Sequence, residues 1–131
     1  MANELTFSTK QMLTLAGASN TEVLLKPLRT EILLFDSYVA GTGKIQDESI
    51  LDDLQEGDTL LLQREPENRF DSNAIKLLDG QNRKVGYIPE DDNVVFARLM
   101  DAGKFLTAKI VRMEEKHSFR QINISIYLVD F

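Results

Sequence analysis

One stretch of the sequence carries side chains whose chemistry suits the recognition of a ligand. It contains Arg69, Phe70 and Asp71, a guanidinium and a carboxylate on either side of an aromatic ring. Aromatic faces and guanidinium planes stack on nucleic-acid bases with little regard to base identity, whereas an ionised carboxylate only accepts hydrogen bonds. Ser72 and Asn73 follow, and short polar side chains of this kind stiffen a loop by bonding nearby amides. The stretch therefore predicts a binding loop, while the alternative that Phe70 is a core residue and Asp71 only ties the turn stays open.

Catalytic and metal chemistry have little support in the composition. The chain has no cysteine and a single histidine, His117, which excludes thiolate nucleophiles, cysteine zinc sites and multi-histidine mechanisms. His117 lies in a polar turn between two predicted strands and is interpreted as a solvated side chain. The acids at 90–92 could join Asp71 and Asp79 in a metal cluster, but acids at the start of a helix are the commoner explanation. With no glycine-rich phosphate-binding loop, the sequence predicts no catalytic residue, no metal and no cofactor.

The net charge argues against a partner made of phosphates, but its distribution weakens that argument. Fifteen basic and twenty-one acidic residues give a formal charge of −6. Residues 1–63 hold four basic and ten acidic side chains, whereas residues 64–131 hold eleven of each. A local basic surface in the second half is therefore compatible with the composition. Such a binding groove would have to be flanked by Arg69, Arg83, Lys84, Lys116 and Arg120.

Length and hydropathy predict one globular domain in solution. The 131 residues are 43% hydrophobic and 27% charged, close to the average of globular proteins. No apolar run approaches the roughly 18–20 residues that a membrane span needs, and the first residues lack the basic character of a secretory signal. We therefore expect a cytoplasmic protein with no membrane partner.

The periodicity of apolar residues predicts a mainly β fold. Six strands are predicted, over residues 32–40, 59–63, 74–78, 83–88, 106–113 and 122–131, with an antiparallel hairpin turning at Asp79-Gly80. One helix is predicted between Pro89 and Gly103, and two short helices over 8–17 and 47–57. Because regular β-α-β alternation is missing, the elements favour a small antiparallel OB-like β-barrel with inserted helices. Residues 1–31 are assigned to a short helix and an arm, and residues 32–131 to the barrel domain.

Two motifs in the second half resemble a known family. They are Arg64-Glu65-Pro66, Asn68, Phe70-Asp71 and Asn73-Ala74-Ile75 in the first, and Gly86-Tyr87-Ile88-Pro89 in the second. Together they resemble the HIRAN domain, a small module at the N-terminus of helicase-like, fork-remodelling ATPases of the Swi/Snf type that also occurs as free-standing bacterial proteins. The resemblance covers residues 32–130. It implies an OB-like β-barrel that grips the 3′ end of single-stranded DNA.

The resemblance also implies roles for individual side chains. Phe70 takes the position of an aromatic that stacks on the terminal nucleotide, and Asp71 that of the carboxylate that accepts a hydrogen bond from the 3′-hydroxyl. Tyr87 and Phe119 align with positions near the bound strand. The chain differs from DNA-end-binding members at 41–45, where Lys44 stands in place of an Arg-Tyr-like pair and offers a point charge that cannot stack. The predicted nucleic-acid-binding residues are Lys44, Arg69, Phe70, Asp71, Lys84, Tyr87 and Phe119.

The sequence thus favours a non-catalytic module that binds single-stranded DNA or DNA 3′ ends and, through the resemblance, acts in DNA repair or replication-fork processing. The alternative from another class is a protein-interaction module whose acidic first half docks onto a basic protein partner. A carboxylate–metal hydrolase is a third reading, for which ligands are lacking. The choice between DNA and RNA, between an end and an internal segment, and the oligomeric state stay open.

Overall fold

A six-stranded sheet organises the compact unit formed by Glu31–Val129. The computed structural model describes residues 30–45 and 47–130, so the predicted helix over 8–17 lies outside the described residues. The strands run in the order β1-β6-β5-β2-β3-β4 across the sheet. Their bounds are β1 (Thr30–Tyr38), β2 (Thr59–Arg64), β3 (Ile75–Leu78), β4 (Lys84–Tyr87), β5 (Phe105–Glu115) and β6 (Arg120–Asp130). The prediction of a mainly β fold of six strands, with an antiparallel β3–β4 hairpin, is confirmed.

Two α-helices and one 3₁₀ turn lie between the strands. The helices are α1 (Ser49–Asp52) and α2 (Asn93–Asp101), and the 3₁₀ turn spans Thr42–Lys44. The helix predicted after Pro89 is confirmed as α2, but the acids at 90–92 precede it instead of filling its first turn. One of them, Asp92, accepts a hydrogen bond of 2.8 Å from the Ser37 hydroxyl. In the part of the chain that the structure describes, neither helix is long and apolar enough to cross a membrane.

The helix predicted over 47–57 is a single turn. Asp47 lies two residues before its first residue, and one Asp47 carboxylate oxygen accepts hydrogen bonds from both the amide and the hydroxyl of Ser49. The chain then leaves the helix at Asp53 and forms a second turn, in which the Gln55 amide donates to the Asp58 carboxylate at 2.9 Å. A side chain that bonds the backbone locally competes in this way with continuation of a helix.

The core follows from the alternation of side chains along the strands. Three alternating residues in the middle of β6, Ile122, Ile124 and Ile126, are fully buried, as a strand with one face on the core requires. Apolar residues of β2 to β5 and the inner face of α2 complete the same cluster, chiefly Leu60, Ile75, Leu77, Val85, Leu106, Ile110 and Phe96. The apolar layer between sheet and helix α2 fixes the ends of the strands, from which the loops of the candidate site emerge.

The two edges of the sheet meet at one point. Ala40, just beyond β1, forms an isolated antiparallel bridge with Tyr87 at the end of β4, through two backbone hydrogen bonds of 2.8 and 2.9 Å. Gly41 then adopts a left-handed conformation (φ 81°) and turns the chain into the 3₁₀ turn. The predicted barrel is therefore an open sheet joined edge to edge by a single bridge, because the chain turns away before a second pair can form.

Gly86 makes this joint possible, and its replacement gives the first prediction. A Cβ atom at Gly86 would lie 2.4 Å from Val39 Cγ1 and 2.5 Å from the Ala40 carbonyl oxygen, so Gly86→Ala must push the edges apart. Overpacking of this kind costs about 1–3 kcal/mol, and we expect a loss of that size in the free energy of unfolding measured in urea. Gly80→Ala is the matched control, because a Cβ there meets nothing within 4 Å. Equal stability of the two variants would contradict the prediction.

Candidate nucleic-acid interface

Arg64, at the end of β2, closes the base of the loop between β2 and β3. Its guanidinium donates to the carbonyl oxygens of Ala74 at 2.9 Å and Ser72 at 3.1 Å. It also binds both carboxylate oxygens of Asp101, at the end of α2, at 2.9 and 3.1 Å. These hydrogen bonds hold the pKa of Asp101 below its ordinary value. Arg64 is therefore engaged with the protein itself and fixes both ends of the loop.

Asn68 organises the interior of the loop. Its side-chain oxygen accepts hydrogen bonds from the backbone amides of Phe70 at 2.9 Å and Asp71 at 3.1 Å. Its side-chain nitrogen donates to the Glu65 carboxylate at 3.0 Å. One amide side chain thus sets the backbone on which the two candidate residues stand, which explains the asparagine of the motif.

The Glu65 carboxylate joins this loop to β4. Besides the bond from Asn68, it accepts a hydrogen bond of 2.9 Å from the Tyr87 hydroxyl and lies 3.5 Å from the Lys76 ammonium. Burial raises the pKa of Glu65, but hydrogen bonds from Asn68 and Tyr87 and the charge of Lys76 outweigh it, and the pKa is lowered. An ionised Glu65 therefore holds the loop and Tyr87 together at neutral pH.

Phe70 projects from this fixed loop into solvent. Its side chain is 94% exposed, so the reading of Phe70 as a core residue is wrong. An aromatic ring contributes most to stability when it is buried, so a fully exposed ring on a stiff loop contributes little to the fold. Phe70 is free to contact a ligand.

Asp71 ties the turn and also faces the same site. One carboxylate oxygen accepts a hydrogen bond of 2.8 Å from the Asn73 amide, and the other accepts one of 2.7 Å from the side-chain nitrogen of Asn93. Each carboxylate oxygen has a second lone pair that these bonds leave unused. The turn-forming reading is therefore correct without excluding a ligand contact.

A cavity of about 520 Å³ brings these groups together, and we call it the loop cavity. Its walls come from four separate segments: the turn after β1, the β2–β3 loop, the end of β4 and the start of α2. Among its lining residues are Lys44, Phe70, Asp71, Tyr87 and Asn93. Four of the seven predicted site residues thus line one cavity.

A second cavity of about 600 Å³ adjoins the first, and we call it the hairpin cavity because the β5–β6 hairpin forms one wall. Tyr38 and Phe119, both 47% exposed, line it. The two cavities share Ala40, Gly41 and Lys44. Lys44 therefore stands where the two cavities meet.

Lys84 and Arg69 lie outside these two cavities. The Lys84 ammonium lies 4.5 Å from the centre of the Tyr87 ring, and Lys84 lines a depression of about 370 Å³ together with Lys44 and Asp47. Arg69 is exposed beside Phe70. Within residues 30–45 and 47–130, Lys44 and Arg69 form no ion pair, so their charges are available to a ligand.

Three of the five basic residues that the sequence places beside a groove are paired with acids. Arg83 binds Asp79 at 2.8 Å and Asp53 at 3.1 Å, and these contacts raise its pKa. Lys116 pairs with Glu114 at 3.2 Å. Arg120 pairs with Asp52 and Glu115. The basic character of the candidate interface comes from Lys44, Arg69 and Lys84.

The acids considered for a metal cluster do not come together. Asp79 is buried and accepts hydrogen bonds from the amides of Gln81 and Arg83, which hold its pKa low against the opposing effect of burial. In the described part of the chain, no three acidic or histidine side chains are placed to hold a metal ion.

Three residues of the site were not among the predicted site residues. Asn93 follows three acids, and no spacing in the sequence places it beside Asp71. Tyr38 belongs to the alternating pattern of β1, which predicts a strand but no neighbouring cavity. Asn68 belongs to the motif, but the hydrogen bonds of its side-chain oxygen to the backbone and of its side-chain nitrogen to Glu65 are seen only in the folded loop.

Comparison with known proteins identifies relatives of this architecture. The family model described as the HIRAN domain matches residues 32–129. A crystal structure of a protein from Lactobacillus plantarum is 28% identical, with a TM-score of 0.72 over 79% of this chain and 99% of that one. The crystal structure of the HIRAN domain of human HLTF is 18% identical, with a TM-score of 0.62 over 76% of this chain and 79% of that one. An NMR structure of the HLTF HIRAN domain in its DNA-bound conformation is 20% identical, with a TM-score of 0.53 over 74% and 78%.

A curated protein matches over a shorter stretch. The Fanconi-associated nuclease 1 homolog of Arabidopsis thaliana is 40% identical over 53 residues, which are 40% of this chain. The match spans only 6% of the length of that relative. It supports a shared module and not a shared overall activity.

Proposed function

This chain belongs to the HIRAN domain family, and from that premise we propose that it is a non-catalytic module that binds single-stranded DNA at a 3′ end. The observation that carries the proposal is the 94% exposed Phe70 ring, which Asn68 and Arg64 hold on a fixed loop beside the Asp71 carboxylate. The DNA-bound conformation recorded for the HLTF domain supports DNA as the ligand class. We assign the activity to the domain of residues 32–131 and its use to DNA repair or replication-fork processing.

In the proposed complex, the terminal nucleotide occupies the loop cavity. Its base stacks on Phe70, since stacking on an exposed ring is tolerant of base identity. Its 3′-hydroxyl donates to the free lone pairs of Asp71. A phosphate at the same point would be repelled by the carboxylate, so Asp71 selects an unmodified end.

The preceding nucleotide extends into the hairpin cavity. Phe119 offers its half-exposed ring to the next base, and Lys44 lies at the junction, where the linking phosphate would pass. Arg69 and Lys84 flank the loop cavity as further cations, with Tyr87 as a wall held by its bond to Glu65. Because Lys44 binds a phosphate only as a point charge, we expect weak affinity, with a dissociation constant on the order of 10⁻⁴–10⁻⁶ M.

The experiment that tests the proposal is a titration of the protein into short fluorescent strands of one sequence, each labelled at the same internal base. Two of the strands are linear and end in a 3′-hydroxyl or in a 3′-phosphate. The third is closed into a circle and has no end. We expect the 3′-hydroxyl strand to bind at least fivefold more tightly than the other two. Equal binding of all three would reject end recognition, and the absence of salt-dependent binding would favour the acidic-surface protein-interaction alternative.

Lys44 gives a prediction about salt dependence. If its ammonium neutralises one phosphate, Lys44→Ala should reduce the slope of log affinity against log salt by about 0.7, the value for one single-strand phosphate contact. Lys104→Ala is the matched control, because Lys104 is also exposed and lines neither cavity. Anisotropy titrations at several salt concentrations measure both slopes. An unchanged slope for Lys44→Ala would remove Lys44 from the interface.

A further inference from the structure

We propose that Asn93 is a positioning residue for the end-recognition site: it holds the Asp71 carboxylate in the orientation that receives the hydroxyl, and it does so at the expense of fold stability. The inference rests on the proposed function, because it concerns the same carboxylate.

The contact between the two side chains is short, and the Asn93 side of it is buried. Asn93 is 2% exposed, and its side-chain nitrogen lies 2.7 Å from Asp71 Oδ2, the short end of the range for hydrogen bonds to a charged acceptor. The Asn73 amide holds the other oxygen at 2.8 Å. A carboxylate anchored at both oxygens cannot rotate about its last bond, so its remaining lone pairs keep a fixed direction.

The side-chain oxygen of Asn93 supports a functional role for this contact. Asn93 Oδ1 is buried and has no hydrogen-bond donor among the described residues. A buried polar atom without a partner lowers stability, whereas an apolar residue of similar shape avoids that penalty. Within α2, Asn93 is the first residue, and its neighbours Phe96 and Ala97 are apolar and buried. Stability alone would therefore favour leucine at this position, and the amide is explained by the bond that it donates to Asp71.

The two roles predict opposite changes in the melting temperature for the same substitution, Asn93→Leu. If Asn93 is a positioning residue, Asn93→Leu should keep or raise the melting temperature and lower the preference for a 3′-hydroxyl over a 3′-phosphate at least threefold. If Asn93 is only structural, Asn93→Leu should lower the melting temperature and weaken the binding of both strands equally.

Thr107 supplies a matched control. It is 4% exposed, and its hydroxyl is the other buried polar atom without a partner in the described residues, but it lines neither cavity. Thr107→Val should keep or raise the melting temperature and leave the end preference unchanged. A fall in end preference with Thr107→Val would overturn the inference, because any core change would then have the same effect.

The hydrogen bond itself can be observed without DNA. The side-chain NH₂ resonances of Asn93 in ¹H–¹⁵N spectra should shift in Asp71→Ala and stay in place in Phe70→Ala. Lack of a shift in Asp71→Ala would overturn the inference. Equal binding of both strand ends by the unmodified protein would reject the proposed function, whereas an intact end preference in Asn93→Leu would reject the inference alone.

Discussion

Replacing Phe70 with alanine is expected to weaken the binding of single-stranded DNA by about 1–3 kcal/mol, roughly 5- to 150-fold, without changing the free energy of unfolding. The reason is the exposure of the ring: a side chain that is 94% exposed has almost no packing to lose. Urea unfolding of the variant measures the free energy of unfolding, and fluorescence titration of the same variant measures its affinity for DNA. For a buried phenylalanine the result would be reversed, with a loss of about 3–5 kcal/mol in stability.

Phe70→Trp is the matched control for this prediction. It keeps an aromatic face at the same point of the fixed loop and should bind at least as tightly as the unmodified protein. Phe70→Leu keeps an apolar side chain without a π face and should behave like Phe70→Ala. If leucine restored full binding, the contact would be apolar packing and not stacking.

The second large effect is expected for Asp71→Asn, which should abolish the preference for a 3′-hydroxyl over a 3′-phosphate. Removing the charge removes the repulsion of a phosphate and weakens the bond to the hydroxyl; hydrogen bonds to charged groups contribute about 1.5–3 kcal/mol. We expect the hydroxyl-ended strand to bind at least tenfold more weakly and the phosphate-ended strand to bind the same or better. Parallel titrations of the two strands measure the ratio.

Asparagine is preferable to alanine as the replacement for Asp71 because the fold needs the side chain. The oxygen of the introduced amide can still accept from the Asn73 backbone amide. After a half-turn of the Asn93 amide group, the introduced nitrogen can donate to the Asn93 oxygen, which has no donor among the described residues. Asp71→Ala leaves the buried Asn93 nitrogen without an acceptor as well, which costs about 1–3 kcal/mol of stability. A preserved end preference in Asp71→Asn would show that the carboxylate charge does not select the end.

Local patterns in the sequence predicted the sheet well, and the reason lies in the isoleucines of β6. A period of two over Ile122, Ile124 and Ile126 identifies both the strand and its buried face without reference to the rest of the chain. The hairpin of β3 and β4 is equally local, since Asp79 bonds the backbone of its own turn. The short helix over Ser49–Asp52 was overestimated, because turn-forming side chains after it outweigh the apolar spacing.

Among the predicted residues of the candidate site, Phe70 and Asp71 come from one motif, whereas Lys44, Tyr87 and Phe119 come from the family resemblance. Phe70 and Asp71 stand next to each other in the chain, so their proximity needs no folding. Asn93 reaches Asp71 from a helix, and nothing in the sequence encodes that approach. The ion pairs of Arg83 with Asp53 and of Arg120 with Asp52 likewise join residues that are far apart in the chain, so the sequence alone could not show that these cations are paired.

Within the described residues, the sheet edges are joined only by the bridge between Ala40 and Tyr87, so we expect the candidate site to open locally while the rest of the sheet stays folded. Both residues line the loop cavity, and only two backbone hydrogen bonds join the sheet edges there, so the cavity wall can open without unfolding of β5 and β6. Regions with few buried contacts open at free energies well below that of global unfolding. The amide protons of Ala40 and Tyr87 should therefore exchange with solvent faster than those of Ile124 and Ile126, and a ligand that spans the joint would slow that exchange.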